Sequence, residues 1–353
     1  MEKDYLIIGQ GIAGSMIAYE LMKRHATVDI YNRTDERTSS QVAAGLYNPV
    51  TGRKMVKTWN ADAIFADLEQ YYQSLEKVLK ARFLHSTGIY RPFFTQEEQN
   101  EWQGRIADGN YKMFIEELKT ASCANAEIRD PYGGLQLTKA GYVNIPVMLK
   151  GFRSYFESNT SYQEKIIDWN NLKLVDGGVK YNDVVYKQIV FCEGNKVADN
   201  PWFDWLPMKP VKGEIIDVNI AYDESFILNR GVFLLPENEK GLCRIGSTYD
   251  NHRLDHELTE EAIAYLREKL GIIFDGDPEV VNHRAGIRPA TRDRKPFLGR
   301  HPANREMIIF NGLGAKGVSL AAYYAVQLAN YLENEKPLDE EVNIARFFSF
   351  YPN

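Results

Sequence analysis

Apolar residues along this chain alternate between two spacings, and the alternation divides it into elements. "DYLIIG" is a short apolar run stopping on a glycine, the pattern of a buried strand. "SMIAYELMKRH" follows with helical spacing, and "TVDIYN" is a second strand, so a strand–helix–strand unit ends near Asn32. "ADAIFADLEQYYQSLEKVL" repeats its apolar positions every three or four residues and predicts one long helix over 61–79. "TQEEQNEWQGRIA" predicts a more polar helix, with Thr95 and Glu98 spaced as a capping box.

From Gly133 the chain passes through turn-rich strands into a helix that starts around Pro146. "YKQIVFCEGN" is an apolar strand that stops at Gly194. "VKGEIIDVNI", "GVFLLP" and "CRIGSTYD" predict the longer strands of a β-rich region. That region is interrupted by the helix "TEEAIAYLREKLG", with Gly271 in the C-cap position. "EMIIFNGLGAKGVSLAAYYAVQLANYL" again reads strand, glycine turn, long helix. The fold class expected is α/β, a dinucleotide-binding Rossmann-like domain with a discontinuous β-sheet domain. Its 353 residues exceed one typical domain.

Composition changes this picture little. The formal charge of −6 is mildly acidic and argues against a nucleic-acid surface, which wants clustered Lys and Arg. The three cysteines, Cys123, Cys192 and Cys243, are scattered, and the six histidines have no ligand spacing, so neither disulfides nor a metal site is expected. No apolar run is long enough to span a bilayer, and the first strand leaves no room for a leader, so a cytoplasmic protein is expected.

The chemistry lies in the turns. Gly9, Gly11 and Gly14 form G-x-G-x-x-G between a strand and a helix. Gly9 permits the tight turn, Gly11 lets a pyrophosphate approach the backbone, and Gly14 allows close helix–strand packing. The helix N-terminus, at Ile12 and Ala13, then offers N–H groups and a positive dipole end to phosphates. The acid usual at the end of the second strand is replaced by Asn32, whose amide can still reach a ribose hydroxyl. In "AGIRPATRDRKPFLG", Arg288 sits between Ile287 and Pro289, which suggests a fixed, partly buried guanidinium. Such a group wants a planar anion, either a bound carboxylate or an internal acid such as Asp293. Arg53 and Lys54 form either a second anion site or part of an exposed loop.

These segments, together with "TSSQVAAGLYNPVTGRK", "GLQLTKAGYVNIPVML", "IVFCEGN" and "NGLGAKGVSLAA", resemble in order the D-amino-acid-oxidase-like FAD oxidoreductases. These include the glycine and sarcosine oxidase type and the FAD half of the bifunctional tRNA wobble-uridine modification enzyme. The resemblance covers nearly the whole chain. It implies FAD contacts from Gly9, Gly11, Ile12, Ala13, Gly14, Asn32 and Arg33, then from Ser40, Gln41, Ala44, Gly45 and Leu46. It further implies contacts from Ile166, Cys192, Gly194 and Arg288, and from Gly312, Leu313, Gly314, Ala315 and Lys316.

The second glycine turn would bring a helix N-terminus to the pyrimidine edge of the flavin, where it stabilises the anionic reduced ring. Lys316, expected in the first turn of that helix, opposes the macrodipole and would be repaid by an anion nearby. Arg288 and Lys316 are implied to hold a substrate carboxylate, and Tyr249 to line the substrate side or to be structural. Sarcosine oxidases attach flavin through a cysteine near the position of Gly286; none lies there in this chain, so FAD is expected to bind non-covalently.

The implied function is oxidation of a C–N bond in a small amino acid or secondary amine, with O2 or another acceptor taking the electrons. Its alternative is oxidative removal of a carboxymethyl group from tRNA, and a non-catalytic flavin carrier is a third class. The expected FAD-binding domain comprises 1–60, 140–210 and 296–353, and the substrate domain 61–139 and 211–295.

Overall fold

The computed structural model describes residues 2–107, 109–123, 125–237 and 241–352. An eight-stranded sheet has a parallel centre in the order Ser161–Glu164, Val28–Asn32, Glu2–Ile8, Val184–Phe191, Met307–Asn311. Its strands come from the beginning, middle and end of the chain. The central ones read as nearly continuous apolar runs because both faces are covered. One cover is the helix Ile12–Met22, which is buried almost all round and therefore shows no polar face. It packs against Gly317–Asn334, the helix that follows the second glycine turn.

A second eight-stranded sheet runs Glu279–Arg288, Val211–Asn219, Leu242–Gly246, Val232–Pro236, Ile227–Arg230, Ile89–Pro92, Gly134–Leu137, Ile115–Lys119. All but one of its pairings are antiparallel. The helix Glu260–Leu270 leans on it and is capped by Thr259, whose hydroxyl accepts from the Ala262 N–H.

The predicted helix over 61–79 is two helices, Ala61–Ile64 and Leu68–Leu79. Where the two part, the Lys139 ammonium donates to the carbonyls of Phe65 (3.3 Å) and Ala66 (3.0 Å), a tertiary contact that satisfies acceptors at the end of the first helix. The polar helix forms over Gln96–Ala107, and Thr95 accepts from the Glu98 N–H at 3.2 Å as the capping box requires. Glu98 turns its carboxylate to the Phe94 N–H and to the buried Arg230. Among the described residues no helix is long and apolar enough to cross a membrane.

Candidate active site

The five parallel strands all end at one cavity of about 580 Å³, lined by Gly9, Asn32, Ile166, Cys192 and Asn311 at or just beyond their carboxyl ends. In open α/β sheets this edge is where ligands bind. The far wall belongs to the second sheet, through Gly213, Ile215, Phe233, Ser247, Gly286 and Arg288.

The three glycines of the first turn have separate physical reasons. Gly9 has φ +97, and a Cβ there would meet the Cys192 carbonyl oxygen at 2.6 Å. A Cβ on Gly14 would lie 1.8 Å from the Gly9 oxygen, so Gly14 serves packing and does not line the cavity. At Gly11 a Cβ would meet nothing closer than the Ser40 hydroxyl at 3.2 Å, so its open side is cavity. Gly11 is the N-cap of Ile12–Met22, which carries no acid in its first turn. The residues present therefore fit a pyrophosphate: an open backbone cradle at a helix end whose cap residue has no side chain, with the Ser40 hydroxyl beside it accepting from the Ile12 N–H at 3.2 Å.

The second turn opens into the same cavity. Gly314, Ala315, Gly317 and Val318 line it at the start of Gly317–Asn334, a helix that also lacks an acid in its first turn. Two positive dipole ends thus converge on one space.

Arg288 ends its strand facing that space. Nη2 donates to the Ser247 hydroxyl at 2.7 Å and to the Thr248 carbonyl at 3.2 Å, while Nη1 donates to the carbonyls of Lys212 and Thr248, both at 3.3 Å. Among the described residues no carboxylate pairs with it, and burial pushes its pKa down. Asp293, the internal acid that could have paired with it, is held instead by Arg346 at 2.9 Å. The Tyr249 ring stacks on the guanidinium, 4.5 Å from Cζ to centroid.

Of the residues expected at the cofactor, Gly9, Gly11, Ile12, Ala13, Asn32, Arg33, Ser40, Ala44, Gly45, Leu46 and Ile166 line the cavity. So do Cys192, Gly194, Arg288, Leu313, Gly314 and Ala315. Gly14, Gln41, Gly312 and Lys316 are not in its wall, and neither is Tyr249, expected on the substrate side or as a structural residue. Gln41 lies in the short helix Ser39–Val42 and donates its N–H to the Thr38 cap. A Cβ on Gly312 would strike the Thr291 side chain at 2.5 Å.

Lys316 is the N-cap, not a first-turn residue, and its ammonium donates to the Thr58 hydroxyl at 3.1 Å. Burial and then Arg294 lower its pKa. The hydroxyl, not an anion, is the partner seen. Asn32 is already engaged: its Oδ1 accepts from the Gln10 N–H at 2.8 Å and its Nδ2 donates to the Tyr162 hydroxyl at 3.2 Å. It holds the glycine turn in place. Arg53 and Lys54 are exposed at a hairpin tip.

Sequence reasoning missed Gly213, Ser247, His256 and Glu193 in the wall. Glu193 follows Cys192 directly and takes a hydrogen bond from Asn200 Nδ2 at 2.7 Å; burial pushes its pKa up to about 7. Its place within "FCEGN", already singled out, was the available signal.

The glycine oxidase of Pseudomonas aeruginosa is 22% identical over 96% of this chain and 97% of its own. The tRNA 5-methylaminomethyl-2-thiouridine biosynthesis bifunctional protein MnmC of Cupriavidus metallidurans is 21% identical over 98% of this chain, which spans 58% of that protein. The crystal structure of iminodiacetate oxidase from Chelativorans sp. BNC1 shares the fold, with a TM-score of 0.79 at 21% identity over 96% of this chain and 99% of that one. The sequence profile described as FAD dependent oxidoreductase (DAO) matches residues 4–331. The chain, with its paired helix ends at one cavity, belongs to that FAD-dependent oxidoreductase family and takes FAD as its cofactor.

Proposed function

We propose that the protein oxidises the C–N bond of a small amino acid or secondary amine whose carboxylate is anchored on Arg288. The observation that carries this reading is a buried guanidinium on the cavity wall that pairs with no carboxylate among the described residues. FAD, when bound, supplies the acceptor for the hydride that leaves the substrate's α-carbon. The turns at Gly9–Gly14 and Gly314–Ala315 and the segment from Ser40 to Leu46 would hold it.

The chain's own part is binding and orientation. Of the acceptors on Arg288, the Ser247 hydroxyl is the one that also lines the cavity. A substrate carboxylate replaces it on Nη2, and the hydroxyl turns to donate to the incoming oxygen. Anchored there, the substrate presents its amine-bearing carbon toward the helix ends, which favour negative charge across the space. The same reading assigns the first sheet's segments 1–60, 140–210 and 296–353 to FAD and 61–139 with 211–295 to substrate. The second sheet, drawing its strands from 89–137 and 211–288, supports that division.

The test is anaerobic bleaching of the flavin by an amine library, followed by re-oxidation in air to separate an oxidase from a dehydrogenase. A flavin that stays oxidised with glycine, sarcosine, proline and D-amino acids would count against the reading. The second reading, removal of a carboxymethyl group from a tRNA uridine, is supported by the likeness to the tRNA-modifying relative over 98% of this chain. It presents the same carboxylate to Arg288. Gel-shift binding of modified against unmodified tRNA distinguishes the two.

A further inference from the structure

Two glycines face each other across the antiparallel pair Val211–Asn219 and Glu279–Arg288, where Gly213 is the register partner of Gly286. Both line the cavity. Neither has a positive φ, so the path of the backbone does not call for glycine at either place. Glycine weakens a strand interior, because it loses more freedom on ordering and packs no side chain. What stands in the missing side chains' place therefore matters.

At Gly286 a Cβ would press on Val42 at 3.1 Å, where the two halves of the cavity meet. At Gly213 it would fall inside the Arg288 guanidinium, 2.0 Å from Nη2, 2.3 Å from Cζ and 2.5 Å from Nη1. The guanidinium rests directly on the Gly213 backbone. That contact, with the carbonyls of Lys212 and Thr248, fixes where its donors point.

We propose that Gly213 is the positioning residue of Arg288: its bare Cα lets the guanidinium lie against the strand, in the pose from which it grips a substrate carboxylate. The inference rests on the reading of Arg288 as carboxylate anchor. A methyl at 213 lifts the guanidinium off the strand and breaks its bonds to the two carbonyls. The atoms it meets first are the far end of a flexible side chain, not backbone, so the fold survives the change while the grip does not.

The test titrates holoenzyme with glycolate, a small carboxylate without an amine, and follows the visible flavin spectrum in wild type, Gly213→Ala, Arg288→Lys and the double variant. FAD content is checked by the ratio of flavin to protein absorbance. Expected is glycolate binding weakened at least about ten-fold in each single variant, and a double variant within about two-fold of Arg288→Lys, because both changes remove one interaction. Substrate kinetics should show the loss in KM, with kcat largely kept.

Gly213→Ala with unchanged glycolate binding, or losses that multiply in the double variant, overturns the role of Gly213 and leaves the anchor reading standing. Glycolate binding that Arg288→Lys does not weaken, or wild-type holoenzyme that binds none, overturns the anchor reading and this inference with it. If Gly213→Ala does not retain FAD, Gly213→Ala/Arg288→Ala must regain it, since removing the guanidinium removes the clash. A double variant that still lacks FAD overturns the proposal.

Discussion

The Arg288 guanidinium, on the cavity wall, stacks 4.5 Å from the ring centroid of Tyr249, a residue 65% exposed and outside that wall. A cation on a largely exposed ring is worth about 0.5–1 kcal/mol. Tyr249→Ala should therefore raise KM for carboxylate substrates by roughly two- to five-fold and leave kcat close to wild type. Steady-state kinetics check this. A matching fall in kcat would move Tyr249 into the chemical step.

Arg288→Lys keeps the charge and removes the planar fork. It should cost about 1.5–3 kcal/mol in transition-state binding, or roughly ten- to a hundred-fold in kcat/KM, on substrates with a carboxylate. Amines lacking the carboxylate should lose little. Equal losses on both substrate types, with a lowered melting temperature, would assign Arg288 to structure alone.

The first turn separates folding from binding. Gly11→Val should yield a folded, colourless protein, because the added atoms enter the cavity beside Ser40 and fill the pyrophosphate cradle. Gly14→Val should lower stability itself, since even a Cβ meets the Gly9 oxygen at 1.8 Å. Thermal melts and flavin absorbance distinguish the two. Full flavin in Gly11→Val would remove that turn from the phosphate site.

Flavin should leave with acid precipitation and the denatured chain should not fluoresce. The three cysteines are free and none neighbours Gly286 in sequence. Cys192 does line the cavity, but burial holds its thiol well above the usual range, so little thiolate is present to attack the ring. A fluorescent band on a denaturing gel would reverse this.

Glu193 gives the pH dependence its sign. Its pKa rises to about 7 chiefly through burial, with Asp199 adding and Asn200 opposing. A carboxyl raised in the folded state stabilises it fully below the unfolded pKa of 4.5, and that contribution is lost as pH climbs through about 7. Glu193→Gln should flatten the decline in melting temperature between about pH 5 and pH 8 and raise it at the upper end by roughly 2–4 °C. Parallel curves for the two proteins would show that Glu193 titrates at its ordinary value.

Much of the FAD side is legible locally. Gly9, Gly11 and Gly14 declare their turn by spacing, and "EMIIFNGLGAKG" declares the second, because each signal lies within a few neighbouring residues. The substrate side is different. Tyr249 meets Arg288 across 39 positions of sequence only because strand register brings them together, and no periodicity encodes that. Lys316 stands one position before the first turn its sequence suggests, and its Thr58 partner comes from 258 residues away. The helix expected over 61–79 is likewise two, and the Lys139 ammonium that satisfies the carbonyls at their junction comes from a distant turn. Gly213 and Gly286 were visible as glycines inside apolar strands, but what they make room for was not.

The strand Val211–Asn219 alternates strictly near the site: Gly213 and Ile215 face the cavity, while Lys212 and Glu214 are buried on the other side. There Lys212 ties down Asp255 and the Glu257 carbonyl, and Glu214 holds Thr259. A slip of one residue would exchange those faces, thrusting an ammonium and a carboxylate into the cavity and leaving the 249–258 loop without its moorings. The pairing with Glu279–Arg288 does contain an irregularity, yet it falls between Asp217 and Val218, past the last residue that faces the cavity. An insertion or deletion on the near side of that point would turn the wall inside out, whereas one beyond it has a place already made to absorb the extra length.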